Sequence, residues 1–235
     1  IRTKGSDYKK KDLLIKKGTI ITSSHILAFK TLGIKYVKVK KIPNILFFTT
    51  GNEISNQEKI PSWKVRNSNS YYIKSIDKNF LFNFFYGGNL KDHDELVLKK
   101  QINKLFNSKI DIMITSGAVS AGKFDYIPYI IKKFKLSGYF KNVAIRPGKP
   151  ILFARFKAKQ KAFFGLPGNS ISSVACFRFF VYRYLQYSLE VDAEKSLKAI
   201  LKNKFTKNQN FTRFLRSTFN TTKNGKLEVN VLKRQ

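Results

Sequence analysis

The chain has 235 residues, 43% hydrophobic and 14% aromatic, which is enough for one full-sized domain and parts of others. Its 46 Lys and Arg against 14 Asp and Glu give a formal net charge of +32, but the basic residues are spread over every segment, which argues for a generally cation-rich composition ahead of nucleic-acid binding. No apolar run reaches bilayer length and the first residues lack the apolar stretch of a signal peptide, so the expectation is a cytoplasmic protein with no membrane partner; the single Cys176 excludes an internal disulfide and reads as a small buried hydrophobe.

Residues 1–42 read as a small mixed module. Leu13-Leu14-Ile15, Gly18-Thr19-Ile20-Ile21 and Tyr36-Val37-Lys38-Val39 are short strand candidates, and Ser23 or Ser24 is placed to cap a helix that carries Ile26, Leu27 and Phe29 and stops near Gly33. The module opens without an initiator Met and is expected to be part of a longer one.

Pro43 opens the main domain, residues 43–190. Ile45-Leu46-Phe47-Phe48-Thr49-Thr50 is a continuous apolar run of the kind expected for a buried parallel strand, and it ends at Gly51-Asn52-Glu53. Asn67-Ser68-Asn69-Ser70 caps a helix through Tyr72, Ile73 and Ile76. Leu81-Phe82-Asn83-Phe84-Phe85-Tyr86 is a second strand, ending at Gly87-Gly88. After Asp92, the spacing of Leu96, Leu98, Ile102, Leu105 and Phe106 predicts an amphipathic helix. Ile110-Asp111-Ile112-Met113-Ile114 is a third strand; it hands over to Thr115-Ser116-Gly117-Ala118-Val119-Ser120-Ala121-Gly122-Lys123-Phe124-Asp125, then to a helix from Tyr126 towards Phe134. This alternation predicts an α/β domain with a doubly wound, mostly parallel sheet.

Val143-Ala144-Ile145, Ile151-Leu152-Phe153-Ala154 and Ala162-Phe163-Phe164-Gly165-Leu166 read as further strands, the last ending at Pro167-Gly168-Asn169-Ser170. A long helix from about Ile171 to Tyr187 follows, with Phe177, Phe180, Val181 and Tyr184 as core. Residues 191–235 read as part of a β domain: Phe211-Thr212-Arg213-Phe214-Leu215-Arg216 and Leu227-Glu228-Val229-Asn230-Val231 are β-like, and Asn224-Gly225 signals a hairpin. His25 and His93 have no metal-ligand partner in sequence and read as a helix residue and a loop residue.

Several strand-end loops carry groups suited to one anionic ligand. Small residues after a strand let backbone N–H groups approach an anion, and the following helix start adds partial positive charge. Glu53, Asp92 and Asp125 each follow a strand, and carboxylates at one sheet edge suit a hard divalent cation such as Mg²⁺, which usually brings phosphate with it. Arg146 and Lys149 are suited to an oxyanion, and Pro167-Gly168-Asn169 opens a helix with free N–H groups. Singly, each of these is also what a tight loop or a solvated surface charge looks like.

The order of the motifs narrows the choice. Thr49-Thr50-Gly51-Asn52-Glu53, Asn67-Ser68-Asn69-Ser70, Ser116-Gly117-Ala118-Val119-Ser120-Ala121-Gly122 with Asp125-Tyr126, Arg146-Pro147-Gly148-Lys149-Pro150 and Gly165-Leu166-Pro167-Gly168-Asn169 together resemble the molybdopterin molybdenumtransferase family, which includes the E domain of gephyrin. The resemblance implies a three-layer molybdopterin-binding α/β domain, flanked by part of a mixed domain and part of a C-terminal β-barrel-like domain. The implied reaction is Mg²⁺-dependent insertion of molybdate into adenylylated molybdopterin with release of AMP. By that likeness Glu53, Asp92 and Asp125 serve metal and catalysis; Ser116, Gly117, Ser120, Gly122, Pro167, Gly168 and Asn169 line the pterin phosphate or nucleotide site; Arg146 and Lys149 engage molybdate or phosphate. It also implies a homodimer when complete and a molybdopterin adenylyltransferase as the upstream functional partner. An adenylyltransferase-like enzyme on the same sheet is the alternative from chemistry, and a non-catalytic basic RNA-binding protein the alternative from charge. Four positions depart from the family pattern: Asn52 and Lys91 stand where acids are usual, Ala118 where Gly is common and Ser170 where Pro is usual.

Overall fold

The computed structural model describes residue 3 and residues 5–76, 81–119, 126–206 and 210–232. Residues 1–42 contribute one helix, α1 (Ser23–Thr31), whose N-cap is Thr22 rather than either serine; the Thr22 N–H donates to His25 Nδ1 at 3.0 Å. Gly33 takes a φ of 72°, and the Gly33 and Ile34 N–H groups donate back to the Lys30 and Phe29 carbonyls, which closes the helix. The three short strands expected in this module are irregular chain instead. A strand is stabilised by a neighbour to bond with, and among the described residues no ladder runs beside them.

The module is fastened to the main domain through Glu190. The Lys17 and Lys40 ammonium groups lie 2.5 Å and 2.8 Å from its carboxylate, and Gly18 sits so close to the Glu190 carbonyl that no side chain fits there. The hydrogen bonds from Lys17 and then Lys40 hold the carboxyl pKa down at about 2. A depressed carboxyl contributes its stability above its unfolded pKa and loses it as pH falls towards the folded one. Pepsin cleavage within residues 1–42 should therefore rise as pH falls from about 5 towards 2, whereas Glu190→Gln should show the raised cleavage across that whole window and converge with the parent at the acid end. Equal cleavage of the two at pH about 5 would show that Glu190 holds nothing.

The main domain is built on strands β1 (Asn44–Thr50), β2 (Ile54–Ser55), β3 (Val65–Arg66), β4 (Asn83–Leu90), β5 (Ile112–Ser116), β6 (Leu136–Lys141), β7 (Ile145–Arg146), β8 (Leu152–Phe156) and β9 (Ala162–Leu166). Its helices are α2 (Asn69–Ile76), α3 (Glu95–Phe106), α4 (Ile127–Lys132), α5 (Ser170–Cys176) and α6 (Tyr182–Leu189), the last two joined by a π-helical turn, Phe177–Val181. Six strands form one sheet in the order β4-β1-β5-β9-β8-β6; β4, β1, β5 and β9 are parallel, and β8 runs antiparallel to both its neighbours. The chain goes from β1 out to β4 and returns to β5 on the other side of β1. The sheet therefore reverses its winding beside β1.

Alternation along the strands fills two layers. Ile45 and Phe47 of β1, Ile112 and Ile114 of β5, and Ala162, Phe164 and Leu166 of β9 face α2, α5 and α6; Phe48, Met113 and Phe163 face α3 and α4. Both faces being covered explains why β1, β5 and β9 read as unbroken apolar runs. Cys176 is fully buried at Gly148, and burial pushes its thiol up to about 12, which suits the packing role read from its neighbours.

Four details differ from the sequence-based expectation. β4 continues through Gly87-Gly88 to Leu90, because Gly87 lies against the Phe48 ring where a side chain would collide. β6 is an edge strand that Ser137 and Gly138 conceal by breaking its apolar run. Leu96 is exposed, while Leu98, Ile102 and Leu105 carry the buried face of α3. The last helix spans Ser170 to Leu189 but contains the π-helical turn, so its core residues Phe177, Val181, Leu185 and Leu189 keep to one side across about three turns.

The C-terminal segment adds β10 (Ile200–Leu201), β11 (Thr212–Arg213), β12 (Ser217–Thr221) and β13 (Leu227–Val231). β12 and β13 form the hairpin that Asn224-Gly225 predicts, with β10 on its other edge. β11 pairs instead with β7 of the main domain.

Candidate functional site

A cavity of about 620 Å³ lies at the carboxyl ends of β1, β5 and β9, where the winding reverses. This is where open α/β sheets leave a crevice, since the loops on either side of the reversal diverge. Its walls come from the ends of β1 and β5, the loop that holds β2 and β3, Asp92, Pro150, and the starts of α2 and α5.

Three turns shape the floor. Gly51 has φ 123° and its N–H donates to the Leu90 carbonyl; the Glu53 carboxylate folds back over it, in space a side chain at 51 would occupy. Gly117, with φ 111°, donates to the Leu166 carbonyl and packs against Thr50. Asn169 caps α5 by accepting from the Ser172 N–H at 3.2 Å.

Hydrogen bonds then tie these turns together. Asn69 is buried and its Nδ2 donates to Ser116 Oγ at 2.6 Å and to the Gly168 carbonyl at 3.1 Å, while its Oδ1 has no partner among the described residues. Thr50 Oγ1 donates to the Ser116 carbonyl. Ser68 and Ser170 hydroxyls meet at 2.9 Å, linking the first turns of α2 and α5. Asn67 accepts from the Ser70 N–H and donates to Asn56, which donates to Tyr86; Tyr86 is paired in turn with Thr49. Arg66 donates to the carbonyls of Gln57 and Glu58, which sets the loop that carries it. On the opposite side the Asp92 carboxylate accepts weakly from the Asn52 N–H at 3.5 Å. Burial, and then the carboxylates of Asp94, Asp92 and Glu95, raise the Tyr126 phenol, which stays protonated and donates to the Lys91 carbonyl.

Ala118 adopts a left-handed φ of 51°, a backbone conformation that favours glycine. A left-handed alanine costs about 1–2 kcal/mol and glycine loses about 0.5–1 kcal/mol of backbone entropy. Ala118→Gly should therefore raise the unfolding free energy by about 0.5–1 kcal/mol in a denaturant titration; a decrease would show that the alanine methyl group is needed against its neighbours.

Of the residues singled out from the sequence, Glu53, Asp92, Ser116, Gly117, Pro167, Gly168 and Asn169 line this one cavity. Ser120, Gly122 and Asp125 lie outside the described residues. Arg146 lines a separate cavity of about 290 Å³ with Asn169, Ser172, Arg213 and Arg216. The Lys149 ammonium lies 5.8 Å from the centre of the Phe211 ring, and within its motif it is Pro150 that reaches the larger cavity. Asn169 belongs to both walls and separates the two spaces.

Sequence reasoning did not assign Thr50, Arg66 or Asn69 to the site. Asn69 reads from its neighbours only as a helix cap; Arg66 has no local signal, because the loop alone brings it there. Among the described residues no three His, Cys, Asp or Glu side chains are grouped to hold a metal ion. The carboxylates of Glu53 and Asp92, with ligand phosphate oxygens, still fit the donor set of Mg²⁺, which is commonly held by one or two carboxylates. No helix among the described residues is long and apolar enough to cross a membrane.

Residues 46–187 match the family model described as "Probable molybdopterin binding domain". The chain is 35% identical over 229 residues to the molybdopterin molybdenumtransferase of Staphylococcus aureus strain Mu50, covering 96% of this chain and 54% of the relative. It is 32% identical over 228 residues to the molybdopterin molybdenumtransferase of Staphylococcus epidermidis strain ATCC 12228, again with 96% and 54% covered. The crystal structure of the molybdopterin biosynthesis moeA protein of Pyrococcus horikoshii OT3 superposes with a TM-score of 0.76 at 26% identity, over 98% of this chain and 54% of that one. The chain thus spans about half the length of the curated relatives it matches.

Proposed function

Because the chain belongs to the molybdopterin-binding domain family, matched over residues 46–187, we propose that its sheet-edge cavity holds adenylylated molybdopterin and that the chain is the substrate-binding portion of a molybdopterin molybdenumtransferase. The observation that carries this reading is the convergence of Glu53 and Asp92 with the turns at Ser116-Gly117 and Pro167-Gly168-Asn169 in one cavity at the reversal of the sheet. Backbone N–H groups at the helix starts suit phosphate, and the unpaired Asn69 acceptor suits a donor from a polar ligand.

The reaction we propose is insertion of molybdate into that ligand with release of AMP. Glu53 and Asp92, with Asp125 by likeness to the family, would hold Mg²⁺, which supplies charge neutralisation at the phosphates. Arg146 with Arg213 and Arg216 forms the cationic wall suited to a tetrahedral oxyanion such as molybdate. Lys149, over Phe211, is assigned to the rim of that wall. A cytoplasmic homodimer in the complete protein, supplied by an adenylyltransferase, belongs to the same proposal.

Equilibrium binding of adenylylated molybdopterin to the purified chain, with and without Mg²⁺ at near-physiological salt, tests it. Saturable binding that tightens with Mg²⁺ is the expected result. A folded chain that binds no pterin, yet binds RNA with a steep salt dependence, would replace it with the basic-binder reading.

A further inference from the structure

The C-terminal segment contributes two of the three arginines around the smaller cavity, yet it meets the main domain there through a two-residue ladder. Thr212 N–H donates to the Ala144 carbonyl and Phe214 N–H to the Arg146 carbonyl, each near 3 Å, and Thr212 and Arg213 stand opposite Ile145 and Arg146. So short a ladder is a weak restraint on its own, since few bonds offset the entropy of ordering the strand. Something further must hold it.

The π-helical turn supplies that contact. In an unbroken α-helix, residues four apart drift around the axis, and the extra residue in a π turn corrects this drift. Phe177 and Val181 thereby stay fully buried on the core side, while Phe179 points out of the domain at 45% exposure. Its ring lies 3.9 Å from that of Phe214 with 10° between the planes, a full face contact. Phe214 directly follows Arg213, whose buried Nε has no hydrogen-bond partner among the described residues and whose guanidinium lies 5.6 Å from the Phe205 ring. Phe211, at the other end of the segment, sits under the Lys149 ammonium.

We infer that Phe179 is a positioning residue: its stack on Phe214 clamps the β11 segment onto β7 and thereby sets Arg213 and Arg216 over the cavity shared with Arg146, Asn169 and Ser172. The inference about the clamp rests on geometry alone; its consequence for oxyanion binding rests on the proposed function. The π turn then acts as an adaptor between the helix core and the C-terminal segment. Phe179 itself stays clear of the ligand space, since no residue of the π turn lines either cavity, whereas Phe214 forms part of the smaller cavity's wall.

Amide hydrogen exchange on the whole chain separates the two layers. Aromatic pairs of this kind are worth about a three- to tenfold change in an equilibrium. Phe179→Ala should lower protection at Thr212 and Phe214 by that factor while the amides of β1, β5 and β9 keep theirs, and Phe179→Tyr should restore it. Unchanged protection at Thr212 and Phe214, or a loss spread evenly over the central sheet, would overturn the clamp. A Phe179→Ala/Phe214→Ala double-mutant cycle gives a second readout, and exchange effects that simply add would also overturn it. Titration with molybdate alone then reads the consequence: weaker binding by Phe179→Ala than by the parent is expected, and equal binding despite a freed strand would overturn the arginine positioning. A parent chain that binds no molybdate would remove the oxyanion reading, and the exchange result would still decide the clamp.

Discussion

Replacing Gly117 with alanine is expected to destabilise the chain by about 2–4 kcal/mol and to abolish pterin binding, the largest effect we foresee for a single methyl group. Two costs coincide. The backbone there has φ 111°, a region that side-chain-bearing residues avoid, at about 1–3 kcal/mol. The added methyl would also overlap Thr50 Oγ1 and stand 3.0 Å from the Thr50 carbonyl oxygen. Thr50 is buried, β-branched and bonded to the Ser116 carbonyl, so it cannot swing aside without losing that bond. Gly117 also donates to Leu166 at 2.8 Å, so a shift would propagate to the end of β9 and to the Pro167-Gly168-Asn169 turn. Denaturant unfolding measures the first effect and ligand titration the second. Retention of parental stability and affinity would mean that the β5 exit tolerates rearrangement and that its tight geometry is incidental.

The second large effect is expected at the carboxylates. Glu53→Gln and Asp92→Asn should each reduce the Mg²⁺-induced gain in affinity for adenylylated molybdopterin by at least about tenfold, while binding without Mg²⁺ weakens less or strengthens. Both changes conserve shape and remove one negative charge, so they separate metal holding from packing. Glu53 is exposed at the cavity wall and Asp92 half-buried opposite it, and among the described residues neither makes an ion pair whose loss would destabilise the fold. Asn52 and Lys91, the direct chain neighbours of Glu53 and Asp92, bring no carboxylate that could substitute for either. A Mg²⁺ effect undiminished in both variants would locate the metal with other oxygens, and Asp125→Asn would then be the next variant to titrate.

The sequence by itself determined the layers. β1, β5 and β9 are buried on both faces, so their apolar runs are written without interruption, and α2 and α3 carry the 3.6-residue spacing of one-sided burial. Strand ends followed by Gly and a helix start are equally local, which is why Gly51, Gly117 and Gly168 were legible as loop positions, and why seven of the residues chosen from them meet in one cavity. The tertiary structure decided what local pattern does not contain. Which loops face each other follows from the strand order β4-β1-β5-β9, a property of pairing across the chain. That order brings Asn69 to the cavity, the loop that pairs β2 with β3 brings Arg66, and the pairing of β11 with β7 leaves Arg146 beside Arg213 and Arg216, across Asn169 from the carboxylates it seemed to accompany. The same reason explains the strands that did not form in residues 1–42: β-propensity is local, whereas a ladder needs a second strand at its side.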